Sequence, residues 1–359
     1  MKNCSILIPT FNRPRHLSRI LSYYNGFEEN YNVIIADSSS AENKKINKKS
    51  ILLFANLDIQ YIDKYLSKIE LLYKLSDALS YINTKYSVLC ADDDFITPNG
   101  INKSIDFLEN NEDFSVALGD HISFYLKNEN KREEKICWDS SPYLDKSITF
   151  PEAESRLASH LSDYQLTTLY AVHRTDLLKI IFKDTVKFAD DDRFGELLPT
   201  MLTLIYGKMK HMNVLYCARE IIRDSSGRTS KNFFDFINNG TYEKKYNKFR
   251  ECLVKALVSK EDISKEKAQK LIDKAMNKYL GSSMFKLKLR AGLIAGLKRI
   301  NGLYALLKKF YNVYRRFKTS KKKISVLDRS PAIEYDNQEN PYYEDFIRIK
   351  EVVEKGIME

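Results

Sequence analysis

Apolar and polar positions along about the first 220 residues predict short strands separated by amphipathic helices. Short apolar runs predict strands over residues 4–8, 32–36, 57–62, 86–91, 114–125, 167–172 and 212–217. Apolar residues at helical spacing predict helices over residues 14–24, 69–82, 98–108, 151–161, 176–181 and 193–206. Residues 127–135 are highly charged and predict a loop. Strands that alternate with helices are typical of an α/β fold with a mainly parallel sheet flanked by helices.

The strand pattern ends near residue 230, and the rest of the chain has a helical pattern. We therefore predict an α/β domain over residues 1–235 and a helical C-terminal region over residues 236–359. Within that region, residues 285–324 hold thirteen Lys or Arg and no acidic residue, with apolar residues every three or four positions. Such a basic amphipathic helix suits an anionic membrane surface, where each basic residue contributes about 1 kcal/mol. The alternative is a helix that packs on the first domain or forms a dimer contact.

Composition limits the classes of protein to which this chain can belong. With 359 residues, of which 43% are hydrophobic, the chain can bury a sizeable core. Its five cysteines form no CxxC pair, which favours reduced thiols in a cytoplasmic protein. The sequence shows neither a signal-peptide pattern nor an apolar run long enough to span a membrane, so we expect a cytoplasmic chain. The net charge of +10 arises in residues 285–324 without a nucleic-acid-binding motif, and we expect no nucleic-acid partner.

Polar segments follow three of the predicted strands, at the edge where open α/β sheets bind ligands. Residues 9–13 follow the first strand, Asp37 follows the second, and Asp92, Asp93 and Asp94 follow the fourth. Three adjacent carboxylates repel one another, and a divalent cation with a preference for oxygen ligands, Mg²⁺ or Mn²⁺, would offset that repulsion. Such an ion would also neutralise a phosphate leaving group. The alternative for these aspartates alone is a solvated turn or a helix N-cap.

The same segments resemble a known enzyme family in sequence, order and spacing. They read SILIPTFNR at residues 5–13, VIIADSS at residues 33–39 and YSVLCADDDFI at residues 86–96. Together they resemble the family 2 glycosyltransferases of the GT-A fold, over about residues 3–225. The resemblance implies a Rossmann-like sheet, a nucleotide-sugar donor and a metal-binding DxD motif.

The resemblance also implies roles for residues at the matching positions. Pro9, Thr10, Phe11 and Arg13 would line the nucleotide pocket, and Asp37 would accept a hydrogen bond from the base, typically uracil. Lys68 would lie beside the nucleotide, although an exposed helical lysine is an equal alternative. Asp92 and Asp94 would form the ends of the DxD motif, with Asp94 the direct ligand of Mn²⁺ or Mg²⁺ and Asp93 near the ribose. The first Asp of the family's usual motif is replaced by Ala91, which shifts the expected register of the metal ligands.

A second acidic run, residues 190–192, precedes the predicted helix at residues 193–206. Inverting members of the family place a general-base carboxylate in a comparable segment. Such a base removes the proton of the acceptor hydroxyl as that oxygen attacks the anomeric carbon. We select Asp191 for this role, with Asp190 and Asp192 as its acidic neighbours; helix capping is the alternative. Downstream, Arg223 and Arg228 would pair with phosphate oxygens or lie in a plain surface loop.

Together these features predict an inverting, metal-dependent glycosyltransferase. It would move a sugar from a nucleotide diphosphate sugar, with UDP-sugars favoured, to a hydroxyl of a glycan or lipid-linked acceptor. Peripheral contact with the inner face of the cytoplasmic membrane through residues 285–324 would suit a lipid-linked acceptor. Two alternatives stay open: a metal-dependent phosphohydrolase, and a non-catalytic membrane-associated assembly protein on a degenerate transferase fold.

Overall fold

A computed structural model describes residues 3–28, 31–67, 69–129, 133–143, 146–162, 164, 167–222, 233–298 and 335–358. Within these residues, nine strands form one sheet in the order β3-β2-β1-β4-β8-β6-β9-β5, with β7 paired to β6. The strands are β1 Cys4–Thr10, β2 Asn32–Asp37, β3 Asp58–Ile62, β4 Tyr86–Leu89, β5 Phe95–Ile96, β6 Phe114–Glu129, β7 Glu133–Tyr143, β8 Val172–Arg174 and β9 Lys208–Glu220.

Most strands of the sheet run in one direction. Strands β1, β2, β3 and β4 are mutually parallel, and β9 is parallel to β6. Because β8 is antiparallel to both β4 and β6, those two strands share a direction. Strands β5 and β7 are antiparallel to β9 and β6, respectively. The carboxyl ends of β1, β2 and β4 therefore meet at one edge of the sheet.

Helices cover both faces of the sheet and continue into the C-terminal part of the chain. They are α1 Pro14–Asn25, α2 Ala41–Ile51, α3 Leu71–Leu79, α4 Pro98–Glu109, α5 Ala153–Ser162, α6 Thr175–Phe188, α7 Asp192–Tyr206, α8 Phe233–Asn238, α9 Tyr242–Lys260, α10 Lys265–Lys298 and α11 Tyr343–Met358. Proline at the first position starts α1 and α4, where the missing N–H costs no hydrogen bond. In α4 the Thr97 side chain also caps the helix by accepting a bond from the backbone of Gly100.

The central strands are buried on both faces, as their nearly continuous apolar sequences predict. On one face, Leu7 and Ile34 pack with Leu75 of α3 and Phe182 of α6. On the other face, the alternate strand residues pack with α1 and belong to a larger apolar cluster. This burial fixes the register of β1, β2 and β4, because a shift by one residue would reverse every side chain. The register in turn fixes which residues emerge at the carboxyl edge.

Two segments differ from the sequence-based expectation. Residues 127–135, predicted as a loop, include the ends of an antiparallel hairpin in which β6 reaches Glu129 and β7 begins at Glu133. Charged residues are compatible with such a hairpin because an edge strand leaves side chains in solvent. Residues 167–172, predicted as a strand, form a 3₁₀ turn over Thr168–Tyr170 that leads into the short strand β8.

The C-terminal helices share the apolar core of the sheet. Phe249 of α9, Ile272 of α10 and Phe346 of α11 belong to the same cluster as the side chains under α1. Helix α11 packs along α1, where Arg15 donates a hydrogen bond to the carbonyl oxygen of Gly356. The domain division at residue 235 stays a prediction.

The basic segment at residues 285–324 lies only partly within the described chain. Residues 285–298 form the end of α10, and residues 299–324 lie outside the described residues. Among the helices that the structure describes, none combines the length and the apolar character that a membrane-crossing helix needs.

Candidate active site

The three predicted polar segments meet at the carboxyl edge of the sheet. In the parallel pairing of β1 with β2, Pro9 lies opposite Ala36 and Thr10 lies opposite Asp37. The backbone N–H of Ser38 donates to the carbonyl oxygen of Thr10 at 3.2 Å, which extends this contact past the strand ends. Strand β4 lies on the other side of β1 and delivers the three aspartates to the same edge.

Asp37 is fully buried and uses both of its carboxylate oxygens within the protein. Its Oδ1 accepts a bond from the backbone N–H of Ser39 at 2.7 Å. Its Oδ2 accepts bonds from Asn47 Nδ2 at 2.7 Å and from the Tyr61 hydroxyl at 2.5 Å. Burial, followed by this bond to Asp37, raises the pKa of Tyr61 well above its ordinary value. Asp37 thus fixes the turn between β2 and α2, and its predicted bond to a nucleotide base stays a prediction.

The loop after β1 is held by Asn12, whose φ of 54° lies in the left-handed region. Asparagine enters this region more readily than most residues, because its short side chain bonds locally. Here Asn12 Oδ1 accepts bonds from the Ser40 N–H at 2.8 Å and from Asn43 Nδ2 at 3.0 Å. These hydrogen bonds hold the loop so that Phe11 lies at the edge of the sheet, with 48% of the residue exposed.

Arg13 bridges the first two aspartates of the cluster. Its Nη1 donates to Asp93 Oδ2 at 2.7 Å and to Asp92 Oδ1 at 3.2 Å, while the Thr10 hydroxyl donates to Asp92 Oδ2 at 2.7 Å. Burial opposes the charge of Arg13, but both carboxylates outweigh it and raise the pKa of the guanidinium. Burial and the charge of Asp93 raise the pKa of Asp92 to about 6, although Thr10 and Arg13 lower it.

The third aspartate of the cluster, Asp94, contacts a different part of the sheet. Its Oδ2 lies 3.4 Å from Arg219 Nε, and its Oδ1 accepts a bond from the backbone N–H of Glu220 at 3.1 Å. Burial raises the pKa of Asp94 to about 7, against the opposing charge of Arg219. Arginines of the protein itself therefore offset much of the repulsion that led us to expect a metal.

The donor atoms of the cluster fit a metal ion only in one arrangement. Within the described residues, no group of three or more His, Cys, Asp or Glu side chains is placed to hold a metal. However, Mg²⁺ usually binds one or two carboxylates together with substrate phosphates and water, and needs no cage of protein ligands. The buried carboxylate of Asp94, compensated by one arginine and one amide, fits such a single attachment.

The structure adds Lys74 of α3, which the sequence analysis did not select. Lys74 Nζ donates to the carbonyl oxygen of Thr10 at 3.0 Å and to Ser38 Oγ at 2.9 Å, and only 3% of the residue is exposed. Burial lowers the pKa of Lys74 to about 8, although Asp92 and Asp37 oppose this shift. The signal in the sequence was a lysine four positions before Ala78 on the apolar side of an amphipathic helix. Lys68, which we selected instead, lies outside the described residues.

Asp191 is the N-cap of α7. Its Oδ1 accepts bonds from the backbone N–H groups of Arg193 and Phe194, both at 2.9 Å. Its Oδ2 lies 3.2 Å from Lys245 Nζ on α9. The start of α7 packs against α3, where a Cβ atom at Gly195 would collide with the side chain of Leu72.

Other predicted residues near the site are only partly accounted for. The contacts described for Asp191 do not reach the aspartates after β4. Its function as a base stays a prediction. Arg223 and Arg228 lie outside the described residues.

Comparison with solved structures supports the fold. The chain is similar to S. aureus TarS 1–349 in complex with UDP-GlcNAc, with a TM-score of 0.50 and 15% identity, over 78% of this chain and 73% of that one. A mannosyltransferase from Pyrobaculum calidifontis, PcManGT in complex with GDP-Man and Mn²⁺, aligns over 89% of this chain and 84% of its own, with 12% identity and a TM-score of 0.46. No protein-family model and no curated protein sequence matches the chain. The predicted α/β fold of the GT-A type, with a mainly parallel sheet and flanking helices, is confirmed.

Proposed function

We propose that this chain is an inverting glycosyltransferase. It transfers a sugar from a nucleotide diphosphate sugar, with UDP-sugars favoured, to a hydroxyl of a glycan or lipid-linked acceptor. The observation that carries the proposal is the convergence of Thr10, Asp37, Lys74 and Asp92 at one edge of the sheet. A buried ammonium with a lowered pKa, that of Lys74, and a buried carboxylate with a raised pKa, that of Asp92, are typical of a functional site at such an edge.

On the donor side, positive and aromatic groups suit a nucleoside diphosphate. The exposed Phe11 ring and Asp37 would contact the base, and Asp93 would lie near the ribose. Arg13 and Lys74 would attract the diphosphate, since an arginine and a lysine are the usual phosphate partners in proteins. The preference for UDP-sugars as donors rests on the resemblance to the family 2 glycosyltransferases. The solved complexes of TarS with UDP-GlcNAc and of PcManGT with GDP-Man suggest which donors to test first.

A divalent cation, Mn²⁺ or Mg²⁺, belongs to the proposal, with Asp94 as its first protein ligand and Asp92 as the second. When bound, such a cation supplies a positive charge that stabilises the departing nucleoside diphosphate. The chain's own contribution is to present two buried carboxylates whose burial disfavours a negative charge without a partner.

On the acceptor side, the proposed base is Asp191. The acceptor hydroxyl gives its proton to the carboxylate, and its oxygen forms a bond to the anomeric carbon. The bond from that carbon to the diphosphate oxygen breaks at the same time, and the oxygen keeps the electron pair. Attack on the face opposite the leaving group inverts the anomeric configuration.

The test is binding and turnover of UDP-GlcNAc, UDP-glucose and GDP-mannose, each with and without Mn²⁺. A donor at one hundred times its Kd stabilises the folded chain by about 2.7 kcal/mol, which thermal unfolding detects. We expect stabilisation and release of the nucleoside diphosphate with at least one donor. Release of inorganic phosphate would favour the phosphohydrolase, and binding without turnover would favour the non-catalytic protein. Neither binding nor turnover with any donor would contradict the proposal.

A substitution at Lys74 tests the donor site directly. Lys74→Met keeps the apolar stem but removes the ammonium, and we expect the donor Kd to rise at least about ten-fold, since charged hydrogen bonds contribute roughly 1.5–3 kcal/mol. Lys103→Met, on the exposed side of α4, is the matched control and should leave the Kd unchanged. An unchanged Kd in Lys74→Met would place the nucleotide elsewhere.

We also propose peripheral membrane contact through residues 285–324, based on their basic amphipathic sequence. The test is co-sedimentation of the full chain with phosphatidylglycerol vesicles at two salt concentrations. Removal of residues 285–324 should abolish binding, and equal binding with and without them would contradict this part of the proposal.

A further inference from the structure

The two carboxylate oxygens of Asp191, the proposed base, have different surroundings. Asp191 Oδ1 is engaged by the two backbone N–H groups at the start of α7. Its Oδ2 is buried within the protein. The nearest positive group is Lys245 Nζ at 3.2 Å, which forms an ion pair with this oxygen. Removal of one partner of a buried ion pair leaves the other charge without compensation.

Lys245 is held beside Asp191 by contacts of its own. Its Nζ donates to Asp190 Oδ1 at 2.6 Å and lies 5.2 Å from the centre of the Phe236 ring of α8. Partial burial opposes the charge, but the bond to Asp190 and the charge of Asp191 outweigh it, so the pKa of Lys245 is raised. The ammonium is thus anchored more closely to Asp190 than to Asp191. Lys245 therefore contacts both aspartates and fixes the direction in which Asp191 Oδ2 points.

We propose that Lys245 is a positioning residue for the catalytic base, supplied by the helical C-terminal region. By pairing with Oδ2 it fixes the orientation of the carboxylate that accepts the proton of the acceptor hydroxyl. The inference rests on the proposed function, because it requires that Asp191 be the base. It extends that function by making helix α9 part of the acceptor side of the site.

The competing explanation is that Lys245 forms a purely structural ion pair with the aspartates. A substitution at the neighbouring Lys248 distinguishes this explanation from the positioning role. Lys248 lies one turn further along α9 and pairs with the other oxygen of Asp190 at 3.1 Å. Its side chain is 43% exposed, against 18% for Lys245, and it makes no described contact with Asp191. Lys248→Met therefore removes a charge from the same helix and the same aspartate without removing the ammonium beside the base.

The experiment uses the full chain, UDP-GlcNAc, UDP-glucose and GDP-mannose with Mn²⁺, and release of the nucleoside diphosphate as the readout. We expect Lys245→Met to lower kcat at least about ten-fold while the donor KM stays within about two-fold, since general-base catalysis contributes 10²–10⁴-fold. Lys245→Arg restores the positive charge and should recover kcat to within about three-fold of the unsubstituted chain. Lys248→Met should match the unsubstituted chain in kcat.

The outcomes separate this inference from the function on which it rests. If Asp191→Asn is inactive while Lys245→Met and Lys248→Met share the same kcat, the positioning role of Lys245 is wrong and the base is retained. If Asp191→Asn keeps full activity, the proposed base is wrong, and this inference fails with it. If Lys245→Met does not fold, Asp190→Asn provides a second test, because it removes the charge that holds the Lys245 ammonium in place. A kcat of Asp190→Asn equal to that of the unsubstituted chain would then overturn the inference.

Discussion

The sequence Ala-Asp-Asp-Asp occurs twice in this chain, at residues 91–94 and 189–192, and the two copies have different physical surroundings. In the first, Asp92, Asp93 and Asp94 are buried, and their counter-charges are Arg13 and Arg219, which emerge from the sheet. In the second, Asp190 is partly exposed and Asp191 caps a helix, and their counter-charges are lysines of α9.

The difference shows that the chemistry of an acidic run depends on how deeply it is buried and on which residues supply its counter-charges. Burial raises the pKa of Asp92 and Asp94 in the first run. In the second run, the hydrogen bond from Lys245 lowers the pKa of Asp190 despite partial burial. The first run suits the binding of positive charge, whereas the second holds one carboxylate in a fixed orientation. The following predictions test this contrast.

The largest effect is expected at Asp191. Asp191→Asn removes the proposed base but keeps an N-cap, so nucleotide release should fall by about a thousand-fold with little change in Tm. Asp191→Ala should be equally inactive and also lose about 1 kcal/mol of stability, because the cap is lost. Initial rates and thermal unfolding measure the two effects separately. Normal turnover in Asp191→Asn would assign the base to another residue.

A smaller loss of activity is expected at Asp94. Asp94→Asn can still accept the bond from Glu220 but lacks the charge proposed to hold Mn²⁺, and the rate should fall by about a hundred-fold. The Mn²⁺ concentration that gives half the maximal rate should rise in parallel. Asp190→Asn, from the second run, should leave that concentration unchanged. An equal response of the two variants to Mn²⁺ would remove the distinction between the runs.

The next prediction concerns stability. Arg13→Met leaves Asp92 and Asp93 buried without their shared partner, and we expect a loss of about 2 kcal/mol, below the 3–5 kcal/mol of a fully buried pair because Arg13 is partly exposed. Adding Asp92→Asn to that variant should recover part of the loss. Lys248→Met, at the second run, should cost less than about 0.5 kcal/mol. Urea unfolding measures all three, and equal losses at both sites would contradict the contrast in burial.

A further prediction concerns the pH dependence of stability, which differs between Lys74 and Lys245. Because burial lowers the pKa of Lys74 to about 8, its charge destabilises the fold at neutral pH. This cost disappears as the pH rises from about 8 towards the ordinary value of 10.5. The raised pKa of Lys245 has the opposite sign: its stabilisation is present below the ordinary value and is lost as the pH rises above it. Unfolding of Lys74→Met and Lys245→Met between pH 7 and pH 10 checks this: the stability advantage of Lys74→Met should shrink as the pH rises, whereas the deficit of Lys245→Met should stay constant.

The sequence predicted which polar segments meet at the carboxyl edge of the sheet, because the features that place them are local. Buried strands are continuous apolar runs, and the residues that follow β1, β2 and β4 are read directly from the chain. Parallel pairing then places Thr10 beside Asp37 without further information. The same reasoning did not anticipate the hairpin of β6 and β7, since edge strands tolerate charges that are also typical of loops.

The partners of the candidate residues could not be read from the sequence, because they come from distant segments. The contact of Arg219 with Asp94 depends on the position of β9 beside β5, and that of Lys245 with Asp191 depends on how α9 packs against α7. Lys74 was missed for a related reason. Helical spacing places Lys74 on the apolar side of α3. Only the packed structure shows that its ammonium donates to the carbonyl oxygen of Thr10 at the edge of the sheet.

The packing of α11 along α1 has a consequence for how the chain is made. Arg15 and Gly356, which share a hydrogen bond, are separated by 341 positions. During synthesis, α1 therefore lacks this cover until more than three hundred further residues have been added. Native contacts of such long range slow folding and leave intermediates open to aggregation. We therefore expect ribosome-bound chains that stop before α11 to need chaperone protection, whereas released chains that include α11 should not.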